Sequence, residues 1–359
     1  MFYREAGQFK TSYGADQAIF PIRQDRIGLL LLGLVAVLAV PALANDYFLA
    51  TIFVPFLVFS MAALGLNLLT GYCGQLSLGT GGFMACGAFF TYKLTTAFPE
   101  LHIVAVFLLA GLGTAGVGVL FGLPSLRIKG FYLAVATLAA QFFLVWMFNK
   151  FPWWTNYSPS GVISAPPREI LPGFFVTGNE ADPVVKYLFL LVFVAVLALI
   201  AKNLVRSRTG RSWMAIRDMD IAAELIGVRP LQTKLSAFAF SSFYVGMAGS
   251  LLFTVYLGAV EVTEVFGINV SFLVLFMVII GGLGSILGSF LGATFLILMP
   301  IFLKNFMVDG LGLLPVLAKH VEILLMGFLI MGFLIVEPHG MARMWQILKE
   351  KLRLWPFPY

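Results

Sequence analysis

Long apolar stretches recur along the chain and are separated by short polar segments. Most of these stretches approach twenty positions, the length that a helix needs to cross the hydrocarbon core of a bilayer. The eighth stretch is short enough to be a broken or re-entrant helix. The pattern predicts about ten membrane-spanning helices, at 27–44, 47–69, 75–98, 103–123, 131–148, 185–201, 234–258, 268–280, 285–303 and 320–336.

The composition supports the same prediction. Hydrophobic residues make up 60% of the 359 positions, charged residues 11%, and the mean hydropathy is +0.96, well outside the range of soluble domains. We therefore expect an all-α polytopic membrane protein. The net charge of +6 comes from basic loops, which orient membrane proteins, so it indicates no nucleic-acid partner. Cys73 and Cys86 lie in apolar, glycine-rich sequence and are expected to be buried thiols.

The basic segments predict the orientation of the chain and its outer regions. Residues 1–26 form a polar, basic extension that places the N-terminus in the cytoplasm, ahead of a permease domain at 27–340. The end of the first apolar run is similar to a signal-peptidase cleavage site. Further spans follow at once, so we expect the run to be kept as the first transmembrane helix. The loop 150–183 then faces outward as a stiff, partly ordered cap. The basic, aromatic tail 341–359 lies on the cytoplasmic bilayer surface.

One long polar segment, 206–230, interrupts the apolar pattern between two spans. Its apolar residues recur at three- and four-residue spacing, which predicts a short helix outside the membrane. Gly227 and Pro230 form a helix stop signal. An ordinary cytoplasmic loop is the alternative. The predicted apolar stripe is Trp213, Ile216, Met219, Ala223 and Ile226, and the polar face carries Arg217, Asp220 and Glu224.

The chain lacks the residues that other classes of transporter and enzyme need. Proton- and sodium-coupled carriers bury ionisable groups along their path, whereas the ionisable residues here, such as Lys93 and Glu322, are predicted near span ends. The sequence contains no phosphate-binding loop of the G-x-x-x-x-G-K-[ST] type. No catalytic constellation is visible, so we expect no catalytic, metal or cofactor residues. Energy for uphill transport would then come from another protein.

Two glycine-rich stretches, 65–87 and 281–292, lie within the spans. Small residues let helices approach closely or break, and uncharged polar groups at membrane depth need partners. Close helix packing without any solute contact is the alternative. The candidate translocation-path residues are Asn67, Thr70, Gly71, Gln75, Ser77, Gly79, Thr80, Gly281, Gly282, Gly284 and Ser285.

The chain resembles the LivM-type permease subunits of branched-chain amino-acid ABC importers. The resemblance extends from about Phe48 to about Gly340. It rests on GLNLLTG (65–71), GQLSLG (74–79), LRIKGFYLA (126–134), GR (210–211), AIRD (215–218), AAELIG (222–227), KLSAF (234–238), GGLGS (281–285) and EPHG (337–340).

The resemblance implies that 206–230 is a coupling segment received by a cytoplasmic ATPase subunit. It also implies a heterodimer with a homologous permease chain, two ATP-binding subunits, a periplasmic substrate-binding protein, and a bacterial inner membrane. ATP and Mg²⁺ would bind the ATPase subunits, with no cofactor in this chain. The expected coupling residues are Gly210, Arg211, Trp213, Ile216, Arg217, Asp218, Ala222, Glu224 and Gly227.

We therefore expect the permease subunit of an importer that works by alternating access. Branched-chain or other amino acids are the first candidate solutes, and urea, amides or carboxylates the second. A secondary carrier and a passive channel for a small neutral solute remain alternatives. The carrier would take up solute without ATP, and the channel would need no ATPase partner.

Overall fold

The computed structural model describes residues 11–12, 23–125, 132–178, 181–312, 314–337 and 339–354. Most of the predicted extension 1–26, most of the motif at 126–134, and residues 355–359 of the predicted tail lie outside these ranges. The described residues are helical almost throughout, with four short strands. The predicted all-α fold is therefore confirmed.

The helices follow one another with few long connections. They are α1 (Arg23–Leu34, continued by Val35–Ala39 and Val40–Leu43), α2 (Asp46–Cys73), α3 (Thr80–Ala97), α4 (Ile103–Ser125), α5 (Tyr132–Lys150), α6 (Pro183–Arg206), α7 (Arg208–Leu225), α8 (Pro230–Leu257), α9 (Val262–Val265), α10 (Ile268–Gly281), α11 (Ile286–Gly310), α12 (Pro315–Val336) and α13 (Met341–Leu354).

A helix occupies each of the ten predicted spans. Nine candidate spans in the described part of the chain are long and apolar enough to cross a membrane, and the shorter α10 counts among them only together with α9. The tenth predicted span, α3, is not among these nine. It carries several glycines and threonines, and it is mostly buried among its neighbours. The prediction placed its start at Gln75, but residues 74–79 are non-helical and the helix begins at Thr80.

The centre of the bundle is formed by α2 and α8, which are mostly buried, whereas α1 and α12 are mostly exposed. Glycines bring α3 and α8 into close contact. A Cβ atom on Gly87 would lie 1.8 Å from Gly246 O, and one on Gly249 would lie 1.9 Å from Met84 O. Ser250 Oγ donates to Gly87 O across the same contact at 3.0 Å. Close backbone approach of this kind is how small residues pack membrane helices.

Helix α10 is too short to cross a bilayer by itself. Its 14 residues give a length of about 21 Å, against about 30 Å of hydrocarbon. The short helix α9 precedes it, and Phe266 and Gly267 separate the two. The predicted broken helix is confirmed.

The four strands lie at the end of the bundle opposite α7. Strand β1 (Ile163–Ser164) pairs antiparallel with β4 (Ala259–Val260), and β2 (Arg168–Leu171) pairs antiparallel with β3 (Phe174–Thr177). Arg168 Nη2 donates to Thr95 O at 2.6 Å, which fastens this region to the end of α3. Within the described residues, the predicted ordered cap is confirmed.

Two ionisable side chains near predicted span ends differ in their surroundings. Lys93 lies at the strand end of α3, where its Nζ is 4.1 Å from the centre of the Trp153 ring. Glu322 lies within the first eight residues of α12. It is buried on α12, where it accepts from Lys319 Nζ at 2.7 Å. A lysine one turn away satisfies the carboxylate locally, so the side chain has no need to extend.

The tail folds into the amphipathic helix α13. Its exposed apolar residues are Met344, Trp345, Leu348 and Leu352, which share one face. Lys349 Nζ pairs with Asp25 of α1 at 3.3 Å. Gly340, just before α13, packs directly on Gly282 of the α10–α11 turn. The helix therefore lies at the α7 end of the bundle, beside the start of the first span.

The Gly87 contact leads to a stability prediction. We expect Gly87→Ala to lower the thermal unfolding midpoint of the detergent-solubilised protein, because its methyl group overlaps the Gly246 carbonyl, and overpacking costs about 1–3 kcal/mol. Gly116→Ala on α4 is the matched control, since nothing lies within 4 Å of its added Cβ. An unchanged midpoint for Gly87→Ala would contradict the packing described here.

Candidate functional site

The first half of α7 is held against the bundle by apolar and hydrogen-bonded contacts. Trp213 is fully buried, and its Nε1 donates to Ser236 Oγ on α8 at 2.9 Å. Ile216 is also buried, and Gly210 packs against the Val205 carbonyl at the turn from α6. Arg211 is exposed and donates to Arg206 O at 2.9 Å. This half of the helix is therefore a part of the bundle rather than a mobile loop.

The helix breaks at Met219, whose backbone angles are φ −162° and ψ 101°. The break resets the helical phase, so the predicted apolar stripe does not continue through it. Trp213, Ile216 and Ala223 are buried, whereas Met219 and Ile226 are exposed. The predicted single stripe is therefore divided, because an uninterrupted 3.6-residue period was assumed across the break.

Beyond the break, α7 ends in an exposed apolar tip formed by four residues. Their exposed fractions are 65% for Met219, 67% for Ile221, 85% for Leu225 and 78% for Ile226. Gly227 adopts φ +90° and ends the segment as predicted. Of the predicted coupling residues, Asp218, Ala222 and Glu224 are exposed on or next to the tip. Sequence reasoning missed Ile221 and Leu225, which lie one helical turn apart and outside the predicted stripe.

Arg217 connects α7 to both glycine-rich stretches. Its Nη1 donates to Gly71 O at 3.1 Å, and its Nε pairs with Asp218 Oδ1 at 3.0 Å. A Cβ atom on Gly284 would lie 3.3 Å from Arg217 Nη1, and one on Gly74 would lie 3.0 Å from Arg217 Cγ. One side chain of the predicted coupling segment thus contacts the end of α2 and the α10–α11 turn.

Asn67 joins the same two regions from inside the bundle. Its Nδ2 donates to Ser285 O at 2.7 Å and to Ser289 Oγ at 2.9 Å, and its Oδ1 accepts from Gly284 N at 2.9 Å. Asn67 is fully buried. Gly71 and Gly284 allow this approach, because a Cβ on Gly71 would lie 2.2 Å from Gly284 N. We call Asn67, Gly71, Gly284, Ser285 and Arg217 the coupling joint.

The remaining candidate path residues lie on either side of the coupling joint. Ser77 and Gly79 belong to the non-helical segment 74–79, in which Gly79 N donates to Ser77 Oγ at 3.3 Å. Gln75 donates to Cys73 O, and Gly281 packs on Gly288. The hydroxyls of Thr70 and Thr80 are buried and have no hydrogen-bond partner among the described residues. In this structure the two stretches make packing contacts, and their role in translocation stays a prediction.

Sequence reasoning missed three buried polar residues next to these stretches. Gln141 on α5, Ser271 on α10 and Ser289 on α11 are buried and make interhelical hydrogen bonds. Gln141 could have been identified from the sequence, since an amide in the middle of an apolar span must find a hydrogen-bond partner in the protein.

Comparison with known proteins agrees with this architecture. Residues 48–334 match the family described as branched-chain amino acid transport system / permease component. The chain belongs to this family. Two relatives are the high-affinity branched-chain amino acid transport system permease protein LivM of Salmonella typhimurium (strain LT2) and that of Escherichia coli (strain K12). Each is 31% identical over 308 residues, which cover 80% of this chain and 68% of the relative. No solved structure matches the chain significantly.

The predicted family resemblance is therefore confirmed, and the chain is a multi-pass membrane permease of that family. The matched region contains both glycine-rich stretches and the whole of α7. The coupling joint thus lies within the part of the chain that defines the family. Its hydrogen bonds join α7 to the end of α2, and Asn67 joins α2 to the α10–α11 turn.

The joint leads to a prediction about Asn67. We expect Asn67→Leu to speed amide hydrogen exchange in residues 282–289 of the permease, because it leaves Gly284 N–H and Ser285 C=O without their buried partner. Each such loss costs about 1–3 kcal/mol. Asn203→Leu, at an exposed position of α6, is the matched control. Unchanged exchange in Asn67→Leu would show that the turn is held by other contacts.

Proposed function

We propose that this chain is the transmembrane subunit of an ATP-driven importer in a bacterial inner membrane, with both termini in the cytoplasm. The observation that carries the proposal is the division of α7. One half packs on the bundle through Trp213 and Ile216, and the other half presents an exposed apolar tip. Arg217 lies between these halves and contacts two membrane helices. A helix built in this way suits docking and force transmission together.

The tip of α7 is the proposed docking surface for a cytoplasmic ATP-binding subunit. Apolar residues of this exposure are costly in water unless a partner covers them. An open depression beside the tip is lined by Glu224, Gly227, Arg229 and Leu231 and adds polar contacts. The full assembly would contain a homologous permease chain, two ATP-binding subunits and a periplasmic binding protein. ATP and Mg²⁺ would bind the ATP-binding subunits, and this chain would be non-catalytic.

The proposed mechanism is alternating access. Closure of the ATP-binding subunits displaces α7, and Arg217 passes the movement to Gly71 at the end of α2 and to Gly284 in the α10–α11 turn. Because packed helices move as rigid bodies, the displacement tilts the spans rather than bending them. The glycine-rich stretches then line a path that opens to one side at a time.

Branched-chain amino acids are the proposed solutes, since the two relatives are named for their transport. Urea, amides and carboxylates are the second group of candidates. The described spans contain few ionisable side chains that could bind a charged solute tightly. Specificity is therefore proposed to reside mainly in the binding protein.

The basic, amphipathic α13 is proposed to contact membrane lipid. Its apolar face is exposed, and the helix carries the exposed basic residues Arg343 and Lys351 at the end of the bundle where the cytoplasmic bilayer surface would lie. The Lys349–Asp25 pair holds the helix beside the first span.

Two substitutions separate docking from transmission. We expect Leu225→Ser to weaken binding of the ATP-binding subunit about tenfold or more, because burying one leucine contributes about 1.5–3 kcal/mol. Arg217→Ala should leave that binding intact but lower solute uptake per ATP hydrolysed about tenfold, since a hydrogen bond from a charged donor is worth about 1.5–3 kcal/mol. Co-purification and uptake in proteoliposomes measure the two effects.

Arg208→Ala provides the control for charge, because Arg208 is exposed on the same helix. It should change neither quantity. Unchanged uptake and unchanged ATPase stimulation by loaded binding protein in Arg217→Ala would contradict the proposed transmission route.

The energy source and the solute are tested together. We expect accumulation of radiolabelled leucine to stop when ATP is withheld and to persist when ion gradients are abolished, because the described spans contain no series of buried ionisable groups that could relay an ion. Replacing the binding protein by one with a different ligand should change the transported solute. Uptake driven by an ion gradient would indicate a secondary carrier, and flux without any ATP-binding subunit would indicate a passive channel.

A further inference from the structure

Two helices of the bundle begin next to each other, α3 at the buried Thr80 and α10 just after the buried Phe266. Helix α3 begins at Thr80, after the non-helical segment 74–79, and α10 begins at Ile268 after Phe266 and Gly267. The two starts touch, since a Cβ atom on Gly81 would lie 2.9 Å from Phe266 O and 3.0 Å from Gly267 O. The backbone groups freed at these starts must be satisfied inside an apolar bundle.

Gln141 and Ser271 satisfy these groups. Gln141 Nε2 donates to Phe266 O at 2.8 Å, and its Oε1 accepts from Gly82 N and from Ser271 Oγ, the latter at 3.1 Å. Ser271 Oγ accepts from Gly81 N at 2.8 Å. Both side chains are fully buried, and Gln141 lies at the middle of the nineteen-residue α5. We call this set of hydrogen bonds the Gln141 clamp.

Both helix starts held by the clamp are connected to the coupling joint. On one side, segment 74–79 leads from Gly74, beside Arg217, to the start of α3. On the other side, α10 leads from Ser271, in its first turn, to Gly281 and the turn that contains Gly284. A displacement of Arg217 therefore reaches the clamp along two separate segments of the chain.

We propose that the Gln141 clamp is the gate of the solute path in this chain, and that Gln141 is the residue that positions it. The proposal rests on the proposed transport function. In the closed arrangement seen here, the clamp holds α3 to α10. When α7 moves, α10 shifts relative to α3 and the side-chain hydrogen bonds are exchanged for bonds to water or to a polar solute.

The chemistry of the clamp suits such an exchange. Its bonds join side chains to backbone groups of two different helices, so they can break without unwinding either helix. The Thr80 hydroxyl is buried beside the clamp on α3 and has no hydrogen-bond partner among the described residues. A buried hydroxyl without a hydrogen-bond partner can bind a polar group of the solute.

The gate is tested by passive leak. The complete assembly, reconstituted in liposomes without ATP, is assayed for downhill flux of radiolabelled leucine. We expect Ser271→Ala to raise this flux about tenfold, because Gly81 N–H loses its acceptor and the closed arrangement is weakened. Ser250→Ala is the matched control. Ser250 is also buried and donates across the α3–α8 contact, but it lies outside the clamp.

Gln141→Glu gives a readout that a purely structural role would not produce. A protonated glutamate offers one acceptor and one donor, as glutamine does here, and keeps the gate closed. The ionised form has no donor for Phe266 O, so the gate opens. Leucine leak through Gln141→Glu should therefore rise from acid to alkaline pH, while the parent shows no such rise.

The outcomes separate the gate from the proposed function. Normal leucine import by the parent, together with unchanged leak in Ser271→Ala and pH-independent leak in Gln141→Glu, would overturn the gate alone. A lower thermal midpoint without added leak would have the same meaning, since the clamp would then be packing only. A parent assembly that neither imports leucine nor stimulates its ATPase would overturn the proposed function and the gate together.

Discussion

Backbone groups freed by a helix break inside an apolar bundle need protein partners, because no competing water is available to them. Among the described residues, a polar side chain serves each of three such places. Thr137 accepts from Leu78 N in segment 74–79, Gln141 serves Phe266 at the start of α10, and Asn67 serves Gly284 in the α10–α11 turn. These side chains make a broken architecture possible in a medium that otherwise favours continuous helices.

The same requirement explains why the coupling joint is rigid. Asn67 cannot leave Gly284 and Ser285 without exposing unpaired groups to hydrocarbon, so α2 and the α10–α11 turn move together. Glycines permit this contact by allowing the backbones to approach more closely than any side chain would. Arg217 then acts on a unit of two helices rather than on a single flexible loop. In the proposed mechanism, force applied to α7 would reach the bundle through this unit.

Much of this structure follows from the sequence, because long apolar runs and helix stop signals are local properties. The ten helix positions, the broken α10 and the end of α7 at Gly227 are of this kind. The break at Met219 is not, since no glycine or proline marks it and it depends on the packing of Trp213 and Ala223 on either side. The partners of Gln141 and Asn67 also escaped prediction, because they lie at least 59 residues away in sequence.

The break at Met219 gives α7 two surfaces that differ in what constrains them. Residues before it pack on this chain's own helices, whereas the apolar side chains of the tip after it are mostly exposed. Substitutions in one half therefore leave the geometry of the other largely unchanged. A permease built in this way can acquire a different ATP-binding partner by changing a few residues, while its internal machinery stays intact.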